Sequence, residues 1–249
     1  MLKPLLITPF LMLATMLLAP ILIRVGLISP LGGFGAAIGA WLVGAGSGLI
    51  AGAIGAWKPD TRPLAWAAFG VGVVLAVALV AVLSRAPRAP IHDVTTDFDD
   101  PPQFSVATDH PDNADRDLAY PHGHPDSTEI QRAAFPDIET LVMCDIDHEI
   151  AWSAAIASAE EMGWAVTWAN TSQGYLEAEA TSRLFQFVDD VVVRIPPSAN
   201  RGCLHVDVRS VSRVGQSDLG ANAARILAFL EVFGANATAA WRESAETAR

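Results

Sequence analysis

The sequence predicts an α+β protein in two parts: an N-terminal region of three transmembrane helices, followed by a two-layer domain of mostly antiparallel sheet with two helices on one face. Three observations predict this fold class. The first third of the chain holds three long uncharged stretches, the charges divide unevenly between the two parts, and the C-terminal part alternates between strand and helix patterns. The predicted boundaries are residues 1–89 for the membrane region, 90–136 for an extended polar loop or arm, 137–234 for the α+β domain and 235–249 for a tail.

The membrane region contains three stretches without a charged residue, at residues 5–23, 33–57 and 64–84. As a helix, each is long enough to cross a hydrocarbon core about 30 Å thick. Pro9 and Pro20 lie in the first stretch, and we expect them to kink that helix or to end it early. A signal peptide is the alternative for this stretch, but two more spans follow at once and no small-residue cleavage site precedes a polar region. No ionisable residue lies inside any span, which disfavours transport.

Small residues repeat along the second and third spans. They occupy every fourth position of the second span and three positions of the third, namely Ala36, Ala40, Gly44, Gly48, Gly52 and Ala56, then Ala68, Gly72 and Ala76. Stripes of this kind let helix backbones approach closely. We expect the two spans to pack against each other, and a homo-oligomer through the transmembrane helices is the alternative.

The charges are distributed very unevenly. Residues 1–89 carry six basic residues and one acid, a net charge of +5, whereas residues 90–249 carry ten arginines, no lysine and 26 acids, a net charge of −16. This asymmetry indicates a membrane part joined to a soluble part. A domain this acidic repels a phosphate backbone, so no nucleic-acid partner is expected.

Orientation and compartment follow from the flanking charges and the cysteines. Basic residues count three on each side of the predicted spans, and the free amino terminus tips the prediction toward an N-terminus inside the cell. Three crossings then place the C-terminal domain outside the cytoplasm. Cys144 and Cys203 are compatible with an oxidising compartment, and two free buried thiols are an equal alternative to a bonded pair.

The α+β domain is predicted as strand, helix, four strands and helix. The predicted strands are residues 137–143, 164–168, 175–181, 190–195 and 204–208. The first helix is capped by Asp145 or Asp147 and ended by Gly163. A polar elbow at residues 209–217 leads into the last helix, which Ser217 and Asp218 are predicted to cap and Gly234 to end.

Two segments resemble the signature of the family called domain of unknown function 1499. They are TSRLFQFVDDVVVRI at residues 181–195 and VDVRSVSRVGQSDLGANAARI at residues 206–226. IHDVTTDFDDPPQF at residues 91–104 and AFPDIETL at residues 134–141 resemble the opening of that family, so the resemblance covers about residues 90–233 in the same order. It implies a bacterial envelope protein with relatives in chloroplasts, and it carries no reaction, substrate or catalytic residue.

Alternation places six charged residues on the polar face of the sheet: Glu177, Glu179, Asp190, Arg194, Asp207 and Arg209. We expect a solvated ladder of ion pairs, each worth about 0.2–1 kcal/mol. The functional alternative is a polar pocket in which forked arginine hydrogen bonds bind a carboxylate or phosphate, with the free amides at the start of the last helix as a further anion site. Its candidate ligand-binding residues are Arg183, Arg194, Asp207, Arg209, Arg213, Ser217 and Asp218.

A histidine loop, YPHGHPD at residues 120–126, is the candidate metal site. His122 and His124 could supply two ligands, but a tetrahedral site needs two more, so a solvated loop without a metal is the preferred interpretation. No catalytic residue and no cofactor are predicted. There is no Gly-x-Ser-x-Gly elbow, and strand alternation sends Asp189 and Asp190 to opposite faces.

Taken together, the sequence predicts a multi-pass membrane protein whose partners are the lipid bilayer and either an envelope protein or a small anionic ligand. A non-enzymatic binding role is preferred for its outer domain. The alternative is an envelope enzyme or a metal-dependent activity that uses the histidine loop and the arginine-bearing face of the sheet.

Overall fold

The computed structural model describes residues 3–85, 89–122, 126–197 and 202–247. They fall into two compact units. The first consists of Met1–Ala86 together with Ser182–Phe187, and the second of Pro87–Thr181 together with Val188–Arg249.

The helices of the first unit are α1 (Lys3–Arg24), α2 (Pro30–Trp57) and α3 (Arg62–Arg85). All three are long and apolar enough to cross a membrane, as predicted. The expectation that the first helix ends early was wrong, because α1 continues through both Pro9 and Pro20. Ser29 accepts a hydrogen bond from the amide of Gly32 at 3.2 Å and so begins α2.

The stripe of small residues on α2 packs against α3 in the same chain. A methyl group added to Gly48 would lie 2.4 Å from the Cα atom of Gly72, so the two backbones are in contact at this point. The predicted packing of the second span on the third is therefore confirmed. Gly35, Gly39 and Gly46 lie outside this contact, with nothing within 4 Å of an added methyl group. A homo-oligomer through the helices stays a prediction.

The second unit is built on a six-stranded sheet whose pairs are all antiparallel. Its strands are β1 (Asp93–Thr95), β2 (Leu141–Cys144), β3 (Ala165–Asn170), β4 (Tyr175–Thr181), β5 (Val188–Arg194) and β6 (Cys203–Ser212). The strand order is β1-β6-β5-β4-β3, and β2 pairs with the first part of β6. The helices are α4 (Ser127–Ala134), α5 (His148–Glu161) and α6 (Ala221–Thr247). The predicted α+β fold is confirmed.

The main hydrophobic core lies between one face of the sheet and helices α5 and α6. Alternate strand residues such as Leu176, Val191 and Val206 are fully buried there, against Phe229 and Phe233 of α6. Strand alternation explains this pattern, because successive side chains point to opposite faces. As predicted, the Asp147 side chain caps α5 by accepting a hydrogen bond from the Glu149 amide at 2.8 Å, and Gly163 follows the helix with φ +72°.

Two sequence-based boundaries were wrong. Helix α6 does not end at Gly234 but continues through Thr247, because Ala237 is buried in the core and Asn236 donates a hydrogen bond to Ser158 at 3.0 Å. The predicted tail is therefore mostly helix. Strand β6 extends to Ser212, since its last residues pair with β1 and β5, so the polar elbow begins only at Arg213. Within the predicted extended loop or arm, Asp93–Thr95 forms strand β1 and Ser127–Ala134 forms helix α4.

Helix α6 is also long and apolar enough, by length and composition, to cross a membrane. However, its first half buries Ala223, Ile226, Phe229 and Phe233 in the core of the second unit. These contacts explain its apolar composition as the packing of an amphipathic helix on a sheet.

The contact between α2 and α3 gives a testable prediction. Gly48→Ile places a side chain against the Gly72 backbone and is expected to lower the stability of the full-length protein in detergent by about 1–3 kcal/mol, as overpacking does. Gly46→Ile is the matched control, because its methyl position is open. Thermal unfolding followed by circular dichroism measures both variants. Equal midpoints for the two would contradict the close approach of α2 and α3.

Candidate functional site

A polar, proline-rich segment lies over the sheet face opposite α5 and α6. We call residues 96–122 the covering segment. Phe104, Ala107 and Leu118 of this segment form a second, smaller hydrophobic cluster with Val192 and Val211 of the sheet. Part of the predicted extended loop or arm thus packs on the sheet and turns its polar face into an interior.

Five of the six charged residues predicted on that face are buried and Glu179 is half-buried, so the predicted solvated ladder was wrong. The sheet residues Glu177, Asp190, Arg194, Asp207 and Arg209 are each at most 9% exposed. Burying a charge is unfavourable unless it is paired and hydrogen-bonded. The covering segment meets this requirement, because it supplies carboxylates, carbonyls and amides to the charged groups of the sheet.

Arg209 is the most enclosed of these charges, with no exposed surface. Its guanidinium donates two hydrogen bonds of 2.9 Å to the carboxylate of Asp93. It also donates to the carbonyls of Pro102 at 3.3 Å and Leu118 at 2.7 Å. The ring of Phe104 lies 5.1 Å from the same guanidinium, a cation–π distance. One side chain thus binds β1 and two points of the covering segment.

Arg194 bridges three carboxylates. It donates to Asp207 at 2.8 Å in the neighbouring strand, and to Asp97 at 3.0 Å and Asp100 at 2.7 Å in the covering segment. Burial opposes the charge, but the hydrogen bonds and charge interactions with its partners, Asp207 foremost, together outweigh burial and raise the pKa of Arg194 above its ordinary value. Asp207 is further satisfied by the Thr140 hydroxyl at 2.6 Å.

Arg213 makes a similar set of contacts at the other end of the face. Its guanidinium donates to Asp190 at 2.7 Å, Glu179 at 2.5 Å and Asp112 at 3.4 Å. Burial opposes the charge here too, but the hydrogen bond to Asp190 raises the pKa of Arg213. Asp190 also accepts a hydrogen bond from Asn113 of the covering segment at 3.0 Å.

Glu177 is buried and accepts hydrogen bonds from backbone amides of the covering segment. Its carboxylate accepts hydrogen bonds from the amides of Ser105 at 2.6 Å, Val106 at 3.1 Å and Ala107 at 2.8 Å. Converging amides stabilise a carboxylate through their dipoles, as in anion-binding backbone nests. Here the anion is a side chain of the protein itself.

The predicted ligand-binding residues are only partly brought together. Arg194, Asp207, Arg209 and Arg213 lie in one buried layer, where the arginines are bound by acids of the same chain. Arg183 is elsewhere, exposed in the segment Ser182–Phe187 of the first unit. An external anion would have to displace carboxylates from the layer, so anion binding by these residues stays a prediction.

The predicted anion site at the start of the last helix is also occupied by the chain. The carboxylate of Asp218 accepts hydrogen bonds from the amides of Gly220 at 2.8 Å and Asn222 at 2.7 Å. Burial raises the pKa of Asp218. The hydroxyl of Ser217 donates to the carbonyl of Ala89 at 3.0 Å and so fixes the loop before α6.

Of the predicted metal ligands, His124 lies outside the described residues. The backbone amide of His122 donates to Asp93 at 2.8 Å, and its ring packs edge-on against His92 with centroids 5.2 Å apart. Burial lowers the pKa of His122, which favours the neutral ring. Within the described ranges, no group of three or more histidines, cysteines and acids could hold a metal ion.

Sequence reasoning missed the acids and the arginine that the covering region contributes. Asp93, Asp97, Asp100 and Arg116 fell in the stretch predicted as an extended polar loop or arm, and none of them was a candidate site residue. Arg116 donates to the carbonyl of Ser212 at 2.7 Å, and burial lowers its pKa. The sequence signal that could have found them was the group of closely spaced acids around FDDPP. These acids could have been matched with the arginines at alternate positions of two strands.

A disulfide bond joins Cys144 and Cys203, which lie opposite each other in β2 and β6. Both residues are exposed, so the alternative of two free buried thiols was wrong. Beside the disulfide is a groove of about 400 Å³ at the end of α6. Its lining residues are Asp145, Ile146, Asp147, Ile150, Gly202, Trp241 and Ser244. The sequence did not indicate this groove, because Trp241 was assigned to a loose tail.

A family model described as "Protein of unknown function (DUF1499)" matches residues 93–233. The chain belongs to this family. A search of curated proteins found no match to the chain. The DUF1499 region begins at Asp93, the partner of Arg209, and ends at Phe233 in the core of α6. It therefore contains the sheet, the covering segment and the buried charged layer.

The enclosed ion pair gives a prediction on stability. Arg209→Met leaves the carboxylate of Asp93 buried without its cation and is expected to cost about 3–5 kcal/mol of unfolding free energy. Adding Asp93→Leu should recover part of this loss, because no unpaired charge then remains. Denaturant unfolding of the full-length protein in detergent measures each variant.

The control is Arg132→Met. Arg132 is exposed over the ring of Phe98 at 4.6 Å and should contribute no more than about 1 kcal/mol. A loss for Arg209→Met as small as that of the control would contradict the structural role of the buried pair.

Proposed function

We propose that α1, α2 and α3 anchor this protein in a bacterial inner membrane, and that its DUF1499 domain lies in the periplasm and acts by binding an envelope partner. The observation that carries the placement is the disulfide between Cys144 and Cys203. Exposed disulfides persist in oxidising compartments, whereas the cytosol keeps thiols reduced. Three crossings from an inside N-terminus lead to the same side.

A binding role, rather than a catalytic one, is supported by the use that the domain makes of its charged groups. Arg194, Arg209 and Arg213 each bind acids of the same chain, and Glu177 binds backbone amides. These contacts attach the covering segment to the sheet. The charged layer thus works as part of the interior of the domain.

The groove beside the disulfide is the surface best suited to a partner. Trp241 is 43% exposed there, next to the apolar side chains of Ile146 and Ile150 and the carboxylate of Asp145. An aromatic ring beside a carboxylate suits a basic side chain, which can lie on the ring and pair with the acid. We therefore favour a protein partner that presents a basic residue over a small anionic ligand.

The placement is tested by the state of the cysteines in cells. In intact cells that express the full-length protein, both thiols should resist alkylation unless a reductant is added, and a periplasm-only reporter fused after Arg249 should be active. The double variant Cys144→Ser/Cys203→Ser should have an unfolding free energy about 2–4 kcal/mol lower. The reason is that the disulfide closes a long loop between cysteines with a sequence separation of 59. Free thiols together with a silent reporter would place the domain in the cytoplasm.

The binding role is tested by site-specific photocrosslinking in cells. A photoreactive residue at Trp241 should capture one dominant envelope protein, and Asp145→Lys should abolish the capture by repelling the basic side chain. The same residue at Thr171, which is exposed in the turn between β3 and β4, is the control. Identical capture at both positions, or no effect of Asp145→Lys, would contradict the proposed surface.

A further inference from the structure

The loop between β4 and β5, Ser182–Phe187, belongs to the first unit together with the apolar helices. Phe34 near the start of α2 packs edge-on against Phe185 and Phe187, with ring centroids 5.1 and 5.7 Å apart. Arg24 at the end of α1 donates a hydrogen bond of 2.7 Å to the carbonyl of Arg183. The loop is therefore attached to the end of the α1–α2 hairpin by both rings and a guanidinium.

This end of the hairpin lies at the boundary of the hydrocarbon core when α1 crosses a membrane. Helix α1 has 22 residues, a length of about 33 Å, which matches a core about 30 Å thick. Phe34 lies four residues after Pro30, the start of α2, which is about 6 Å along the helix axis. The rings of Phe185 and Phe187 thus lie at the depth where headgroups meet acyl chains.

The side chains of the loop suit that depth. Leu184 is 56% exposed, although most tight connections between strands carry polar residues. Arg183 is the loop's single charged residue, in a C-terminal part of net charge −16. Large apolar side chains beside a basic group are typical of segments that lie in a membrane interface.

We propose that Ser182–Phe187 is a second, non-spanning membrane contact, in which Leu184 inserts among acyl chains and Arg183 binds the phosphate of an anionic phospholipid. The lipid bilayer is the occupant of this surface because the surface is continuous with helices that themselves fit a bilayer. The charge of this surface also supports a lipid occupant. The guanidinium of Arg24 contacts the backbone of Arg183, so two basic residues are close to each other, and anionic headgroups attract such pairs.

The proposal rests on the membrane anchorage proposed above, and the experiment separates the two. Full-length protein with Leu184→Cys is labelled with an environment-sensitive NBD fluorophore, under conditions that leave the native disulfide intact. It is then reconstituted into nanodiscs of phosphatidylethanolamine and phosphatidylglycerol. Leu42→Cys on the exposed face of α2 tests the anchorage, and Thr171→Cys in the β3–β4 turn is the control outside the loop.

The label at position 184 should emit at a shorter wavelength than the label at 171, and lipids carrying a shallow nitroxide should quench it at least twofold more. Leu42 lies near the middle of α2, so lipids that carry a deep nitroxide probe it. Quenching at 42 by the deep nitroxide, without quenching at 184 by the shallow one, would overturn the loop contact and leave the anchorage standing. No quenching at 42 by the deep nitroxide would overturn the anchorage. A blue-shifted but unquenched label at 184 would mean that protein covers the loop, and it too would overturn the proposal.

The headgroup contact has its own test. Replacing phosphatidylglycerol by phosphatidylcholine should reduce the quenching at 184 at least twofold, and Arg183→Gln should remove this dependence on phosphatidylglycerol. Arg183→Lys is the matched control, because it keeps the positive charge. If quenching at 184 does not depend on phosphatidylglycerol in the labelled protein that retains Arg183, the binding of Arg183 to anionic lipid is overturned.

Discussion

The ion pair between Arg209 and Asp93 joins parts of the domain that are far apart in sequence. Neither side chain has exposed surface, and the two share paired hydrogen bonds of 2.9 Å. Because a buried guanidinium needs partners for its remaining donors, Arg209 also takes the carbonyls of Pro102 and Leu118. Arg209 therefore fixes strand β1, strand β6 and two points of the covering segment relative to one another.

The same constraint explains the composition of the domain. Arg194 and Arg213 each bind three carboxylates, so the layer contains more acids than cations. A planar guanidinium can bridge several carboxylates through its fixed fork of donors, which a compact ammonium does less well. The absence of lysine from residues 90–249 agrees with a layer built on arginine forks.

What the sequence predicted well was local. Strand alternation correctly assigned Asp189 and Asp190 to opposite faces, where Asp189 pairs with Arg225 of α6 and Asp190 with Arg213. Burial of the polar face could not be predicted, because the covering segment has no periodicity and its contacts are distant. The amide of Ser105, for example, reaches Glu177, which lies 72 positions later in the chain.

Two further features could not be predicted for the same physical reason. The disulfide depends on the register that places Cys144 opposite Cys203, and short apolar runs do not fix a register between distant strands. Arg183 looked like a member of the arginine face because it precedes β5, yet it lies in a loop that packs on Phe34 through its phenylalanine rings. The composition indicated which kinds of side chain the domain contains, and long-range contacts determine where these side chains lie.

Hydrogen exchange at the amides of Ser105, Val106 and Ala107 tests most directly whether the covering segment is part of the folded interior. These amides lie outside the sheet, and their protection depends on the carboxylate of Glu177. If the charged layer fixes the segment, they exchange as slowly as the amides of β5, with rates set by global unfolding. Exchange at the rate of an open loop would show that the segment leaves the sheet freely, and would contradict the account.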